Sequence, residues 1–247
     1  QRGDARRASL GKILPLLEMR LFYRKETDGG GSTSKARKVV PMYYTGADAL
    51  FAITEGNPRW FKALFTPLLE KYDSREGIIR RESQVREIVK LAQRYQALLR
   101  TRVVNTEGNT YSGVGVYGLV KMIAEYIFKK NVTGSFQLDP PTYIKIKAEP
   151  ESNLRKLLIE SINIGALVYM PDDNSNTELI LSQLKDKKFR VAYTLAPIMK
   201  IPIRIIKHVY LHEILHENAK VKRRRTLFES KEKSAGAGQG KIKFPDR

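Results

Sequence analysis

The 247 residues carry 42% hydrophobic side chains, enough to close a core, and a formal net charge of +19 from 45 Lys/Arg against 26 Asp/Glu. No run approaches the roughly 20 apolar residues of a membrane span, and the opening residues lack the charged-then-apolar pattern of a secretory leader. The absence of cysteine excludes a disulfide framework, a thiolate metal site and a thiol nucleophile, and it fits a reducing cytoplasm. A chain that opens on Gln1 is expected to be preceded by further residues.

Residues 1–40 hold ten Lys/Arg against four Asp/Glu, and residues 218–247 ten against three, so the ends carry +6 and +7 and the centre only +6. Such a balance points to a polyanion partner. In chain order, apolar residues at helical spacing (Leu10, Ile13, Leu14, Leu17, Leu21) predict a helix over 10–25, followed by the loop Thr27–Ser34. Short helices are predicted over 47–54 and 58–71, with Gly56 ending the first, Asn57 capping the second and Pro58 in its first turn. A long helix over 82–100 has Val85, Ile88, Leu91, Ala92, Tyr95 and Leu99 as its stripe.

Asn105–Thr110 reads as a linker, after which the pattern changes. A helix is predicted over 116–129, a strand over 142–147, a helix over 152–164, strands over 165–170 and 189–196, and a last helix over 206–216. Helix, strand, helix and two strands is the order of a winged-helix domain. Beyond 217, Lys220–Arg225 and the glycine-rich 234–240 have too little apolar surface to offset the entropy of ordering, and predict a basic disordered tail.

His212-Glu213-Ile-Leu-His216 spells the H-E-x-x-H of zinc peptidases, with His208 one further turn upstream on the same predicted helix. His208 and His216 would lie about 12 Å apart along such a helix, too far to share one ion, and no third ligand is evident. The motif reads as a solvated helix face, with a metallopeptidase as an alternative and no metal assigned. Gly113-x-Gly115-x-x-Gly118 lacks the preceding strand and following acid of a dinucleotide fingerprint. Gly236–Lys241 is one residue short of a phosphate loop and lacks its Ser/Thr.

Glu55-Gly-Asn-Pro-Arg-Trp60 differs because its context agrees with it: Arg59 falls in the first turn of a capped helix, where a bidentate guanidinium and the positive helix end both favour phosphate. The turn resembles the sensor-2 turn in the helical lid of AAA+ ATPases. The stretch Tyr44–Trp60, together with Gly165–Met170, Phe189–Pro197 and Ile201–Arg204, resembles the C-terminal part of bacterial ATPases of the origin-recognition-complex-like AAA+ type. That resemblance implies a mainly α fold with a small β component. Residues 1–40 would end the ATPase domain, 41–105 form the lid, 106–217 the winged helix and 218–247 the tail.

The resemblance further implies ATP and Mg2+ as cofactors of the intact protein, with Arg59 and Asn57 at the nucleotide and no catalytic residue in this chain, which shows no phosphate loop or Walker B strand. It implies duplex DNA as partner, met by Asn153, Arg155 and Lys156 of the second helix and by Lys187, Lys188 and Arg190 at the wing. Assembly with copies of itself or with an effector protein, without membrane contact, completes the expectation. The alternative is a non-enzymatic winged-helix adaptor that docks a partner protein.

Overall fold

A computed structural model describes residues 13–24, 42–102, 115–171 and 178–220. The loop predicted at 27–34, the linker at 105–110, the Gly236–Lys241 motif and the tail from 221 onward lie outside the described residues.

Helix α1 (13–24) buries Leu16, Met19 and Tyr23. On the same face as Leu16, Arg20 and Arg24 reach the carbonyls of Asn131, Val132, Thr133 and Gly134, with Arg20 Nη1 3.2 Å from Asn131 O and Arg24 Nε 3.1 Å from Val132 O. Those carbonyls end α5 (Val116–Phe128) and the π-helical turn that extends it, Lys129–Thr133. Carbonyls at a helix end lack intrahelical donors and carry partial negative charge, which a guanidinium satisfies.

A 3-10 turn (Met42–Tyr44) leads into α2 (Ala47–Ile53), α3 (Pro58–Leu69) and α4 (Arg81–Arg100). At about 30 Å, α4 is the spine. Its stripe of Ile88, Leu91, Ala92, Tyr95 and Leu99 is buried, and it packs on α3, on α5 and on α7 (Ala196–Met199). One buried cluster therefore runs from Leu50 and Ile53 through the α4 stripe to Leu119, Ile123 and Leu195.

The second half holds a four-stranded sheet in the order β2-β3-β1-β4. β1 (Pro141–Lys145) and β2 (Leu167–Met170) flank α6 (Ser152–Asn163) in sequence, and β3 (Lys188–Val191) pairs antiparallel with both. β4 (Lys207–Tyr210) adds to the edge, parallel to β1. Ile144, Phe189, Val191 and Val209 face the core. Helix α8 (211–220) follows and buries Leu211 and Ile214.

Two expectations need correction. The helix predicted over 206–216 is a strand followed by a helix: Val209 is buried and Lys207 exposed, and pairing with β1 decides a segment too short for its own periodicity to decide. The strand predicted over 189–196 stops at Val191, because Tyr193–Leu195 turn as a 3-10 helix and Pro197 opens α7. No helix among the described residues is long and apolar enough to cross a membrane.

Candidate functional site

The turn between α2 and α3 is held from both sides. Glu55 and Gly56 take positive φ values of 55° and 65°, which reverses the chain after α2. Asn57 then caps α3, its Oδ1 accepting from the amides of Arg59 at 2.9 Å and Trp60 at 3.4 Å. Trp60 packs on Tyr95 of α4, ring centroids 5.2 Å apart, and the Tyr95 hydroxyl donates to Ile164 O at the end of α6. Burial, with the Glu55 charge second, pushes the Tyr95 phenol well above its ordinary range, so this hydroxyl stays a donor.

This scaffold leaves Arg59 exposed in the first turn of α3, its guanidinium making no hydrogen bond or ion pair to the described residues. It lines an open cleft of about 630 Å³ together with Asn57, Trp60, Arg102, Glu160 and Asn163. Two guanidiniums and a helix N-terminus suit an anion with several oxygens. The Asn57 Oδ1 serves the cap and so positions the Arg59 turn, while its side-chain amide nitrogen takes no part in the cap. Arg102 was missed from sequence because it falls at the end of a long helix with no motif around it.

Glu55 has a second task. Its carboxylate receives both guanidinium nitrogens of Arg190 at 2.6 Å, and the amide of Tyr193 donates to the same group. The Arg190 and Glu55 side chains are only 14% and 13% exposed, and Arg190 lies 3.8 Å over the Tyr193 ring. Beside it, Thr194 Oγ1 donates to Ile53 O at 2.6 Å. Arg190, expected to face DNA, is thus turned inward by a carboxylate and joins the Arg59 turn to strand β3.

The remaining basic residues divide. Lys156 is exposed on α6 and Asn153 is half-buried there. Arg155 donates to Ser182 O and pairs with Glu149 at 3.6 Å, so intramolecular partners hold it. Lys187 lies at the start of β3 with its ammonium 5.9 Å from the Tyr169 ring, and Lys188 is on the strand itself.

His212 and His216 are exposed on α8, beside Glu213, Glu217 and Tyr126. His208 is on β4 and does not continue their row. Glu217 is drawn to Lys129, whose hydrogen bond holds its carboxyl below the usual range. Among the described residues no group of three or more His, Asp or Glu side chains could hold a metal ion.

No curated protein and no solved structure matches the chain. The ORC-CDC6-like family model does, over residues 2–211, a span that includes the Arg59 turn, α6 and all four strands. The chain belongs to the ORC-CDC6-like family.

Proposed function

We propose that the chain is the nucleotide-sensing and DNA-binding part of an ATP-controlled AAA+ switch of the origin-recognition type. The observation that carries this reading is an arginine held exposed by a capped turn, on a cleft with a second arginine, inside the region that matches the family. Arg59 senses the terminal phosphate; Asn57 and Trp60 orient it. The donor set fits a polyphosphate. It offers no carboxylate cluster for Mg2+, so magnesium is assigned to no residue described here. When bound, ATP supplies a removable terminal phosphate, and the chain's own part is to register its presence.

Residues 41–105 are read as the lid and 106–217 as a winged helix. The order β2-β3-β1 with antiparallel pairs after α6 supports this, whereas a single helix between β1 and β2 and the added β4 depart from the usual pattern. DNA contact is assigned to Lys156 and Asn153 on α6, to Lys187 just before β3 and to Lys188 on it, while carboxylate pairs hold Arg155 and Arg190 within the fold. A cytoplasmic location and assembly with like subunits belong to the same reading.

In the full-length protein, Arg59→Ala should weaken ATP binding or its effect on DNA affinity while the chain stays folded. Unchanged nucleotide affinity and unchanged coupling would remove Arg59 from the site. Duplex affinity should fall steeply with salt, and replacing Lys187 and Lys188 together should reduce the slope by about one to two. The adaptor reading is favoured by one feature, the stacked rings of Phe61 and Phe65, 4.2 Å apart, with Phe51 and Phe61 exposed. Salt-insensitive or undetectable duplex binding would support it.

A further inference from the structure

The outward face of the sheet carries rings and ammonium groups of which the duplex reading uses only Lys188. Register places Met170, Lys188, Lys145 and Tyr210 in one row across the four strands and Tyr143 beside His208 in the next. Their neighbours Ile144, Phe189 and Val209 are buried, so alternation sets this row on the other side of the sheet. From there the rings follow one another. Tyr143 and His208 have centroids 5.9 Å apart, His208 and Tyr210 5.1 Å, and Tyr210 and His212 5.7 Å with planes within 28°.

The Lys147 ammonium lies 5.8 Å from the Tyr210 ring centre. Lys147, Lys207 and His212 are exposed. The carboxylates nearby are each engaged or at the border: Asp186 pairs with Lys145 at 3.4 Å and is itself 61% exposed, Glu149 beside Lys147 and His212 pairs with Arg155 at 3.6 Å, and Glu213 and Asp139 border the cleft beside His208. An exposed pair of that kind holds its lysine weakly.

We infer that this face binds unpaired bases of single-stranded DNA, about two or three of them stacked on the Tyr210, His208 and His212 rings, with Lys147 and Lys145 at the phosphodiesters. Flat rings interleaved with ammonium groups are complementary to a single strand, whose bases are free to leave their own stack. A duplex keeps its base faces covered and meets only the cations. Choosing DNA over RNA rests on the duplex reading above, because β3 belongs to both surfaces.

The test is fluorescence anisotropy on the whole chain at moderate salt, with a labelled oligo(dT) of about 12 nucleotides, the matching oligo(U), and a duplex. Tyr210→Ala should weaken oligo(dT) binding about tenfold, Tyr210→Phe should restore it, and both should bind duplex as the parent does. His212→Ala, at an exposed position outside the core, should give a smaller loss in the same direction. Lys147→Ala should lower the salt slope by about one. Unchanged oligo(dT) affinity in Tyr210→Ala and His212→Ala overturns the inference, as does a Phe variant as weak as the Ala variant. Preference for oligo(U) overturns the choice of DNA. Loss of duplex binding by the parent, with ring-dependent oligo(dT) binding intact, would refute the duplex reading and support this one.

Discussion

At Glu55 two contributions act in opposite senses, and two substitutions separate them. Its carboxylate accepts two charge-assisted hydrogen bonds of 2.6 Å from Arg190, with both side chains largely withdrawn from water. Removing one partner of such a pair costs about 3–5 kcal/mol, and we take about 3 because neither group is wholly buried. The backbone, however, holds a residue with a Cβ at φ 55°, a conformation that costs a non-glycine residue about 1 kcal/mol. Glu55→Ala loses the ion pair and keeps the strain, so it should destabilise by about 3 kcal/mol. Glu55→Gly loses the ion pair and relieves the strain, so it should destabilise by about 2 kcal/mol.

Urea unfolding read by Trp60, the single tryptophan of the chain, reports from the adjoining turn. Arg190→Ala completes the cycle, and the double variant should be about 2–3 kcal/mol more stable than the sum of the single changes implies. Equal losses for Ala and Gly would refute the strain argument. Additive losses would refute the pair itself.

Three further outcomes follow from the same reasoning. Burial opposes ionisation of Glu87, but hydrogen bonds from Lys71 and Lys90 outweigh it and hold its carboxyl below the ordinary range. The stability it contributes is present above the unfolded carboxyl pKa and lost as pH falls through the folded one, so Glu87→Gln should flatten the acid limb of a stability–pH profile; a parallel limb would refute this. Asn57→Ala should cost about 1 kcal/mol and Asn57→Asp very little, by thermal melts. Tyr44→Phe should cost about 1–2 kcal/mol, because its fully buried hydroxyl donates to Ile201 O at 2.7 Å and its loss orphans that carbonyl.

Long elements were legible because their periodicity is strong: α4 begins at Arg81 against a predicted 82, and α6 spans Ser152–Asn163 against 152–164. The cap at Asn57 was legible because the Gly-Asn-Pro order has a local chemistry that needs no tertiary partner. β4 was not, because four residues satisfy either period and only the distant β1 decides between them. The same limit hid the role of Arg190. Basic spacing shows that a guanidinium is on β3, but not that a carboxylate from the α2–α3 turn folds onto it. Arg102 and the ring row across β1 and β4 were hidden for a related reason, since residues far apart in the chain assemble them.

The ion pair of Glu55 with Arg190, the Tyr44 bond to Ile201 and the grip of α1 on the end of α5 all tie residues before the 103–114 segment to residues after it. Neither half closes its own surface. A single backbone cut in that segment should therefore leave two fragments that co-elute as one particle and part only on denaturation, and each half expressed alone should fold poorly until the other is supplied. On the proposed reading, a nucleotide-linked displacement of one stretch would be carried into the other through those contacts.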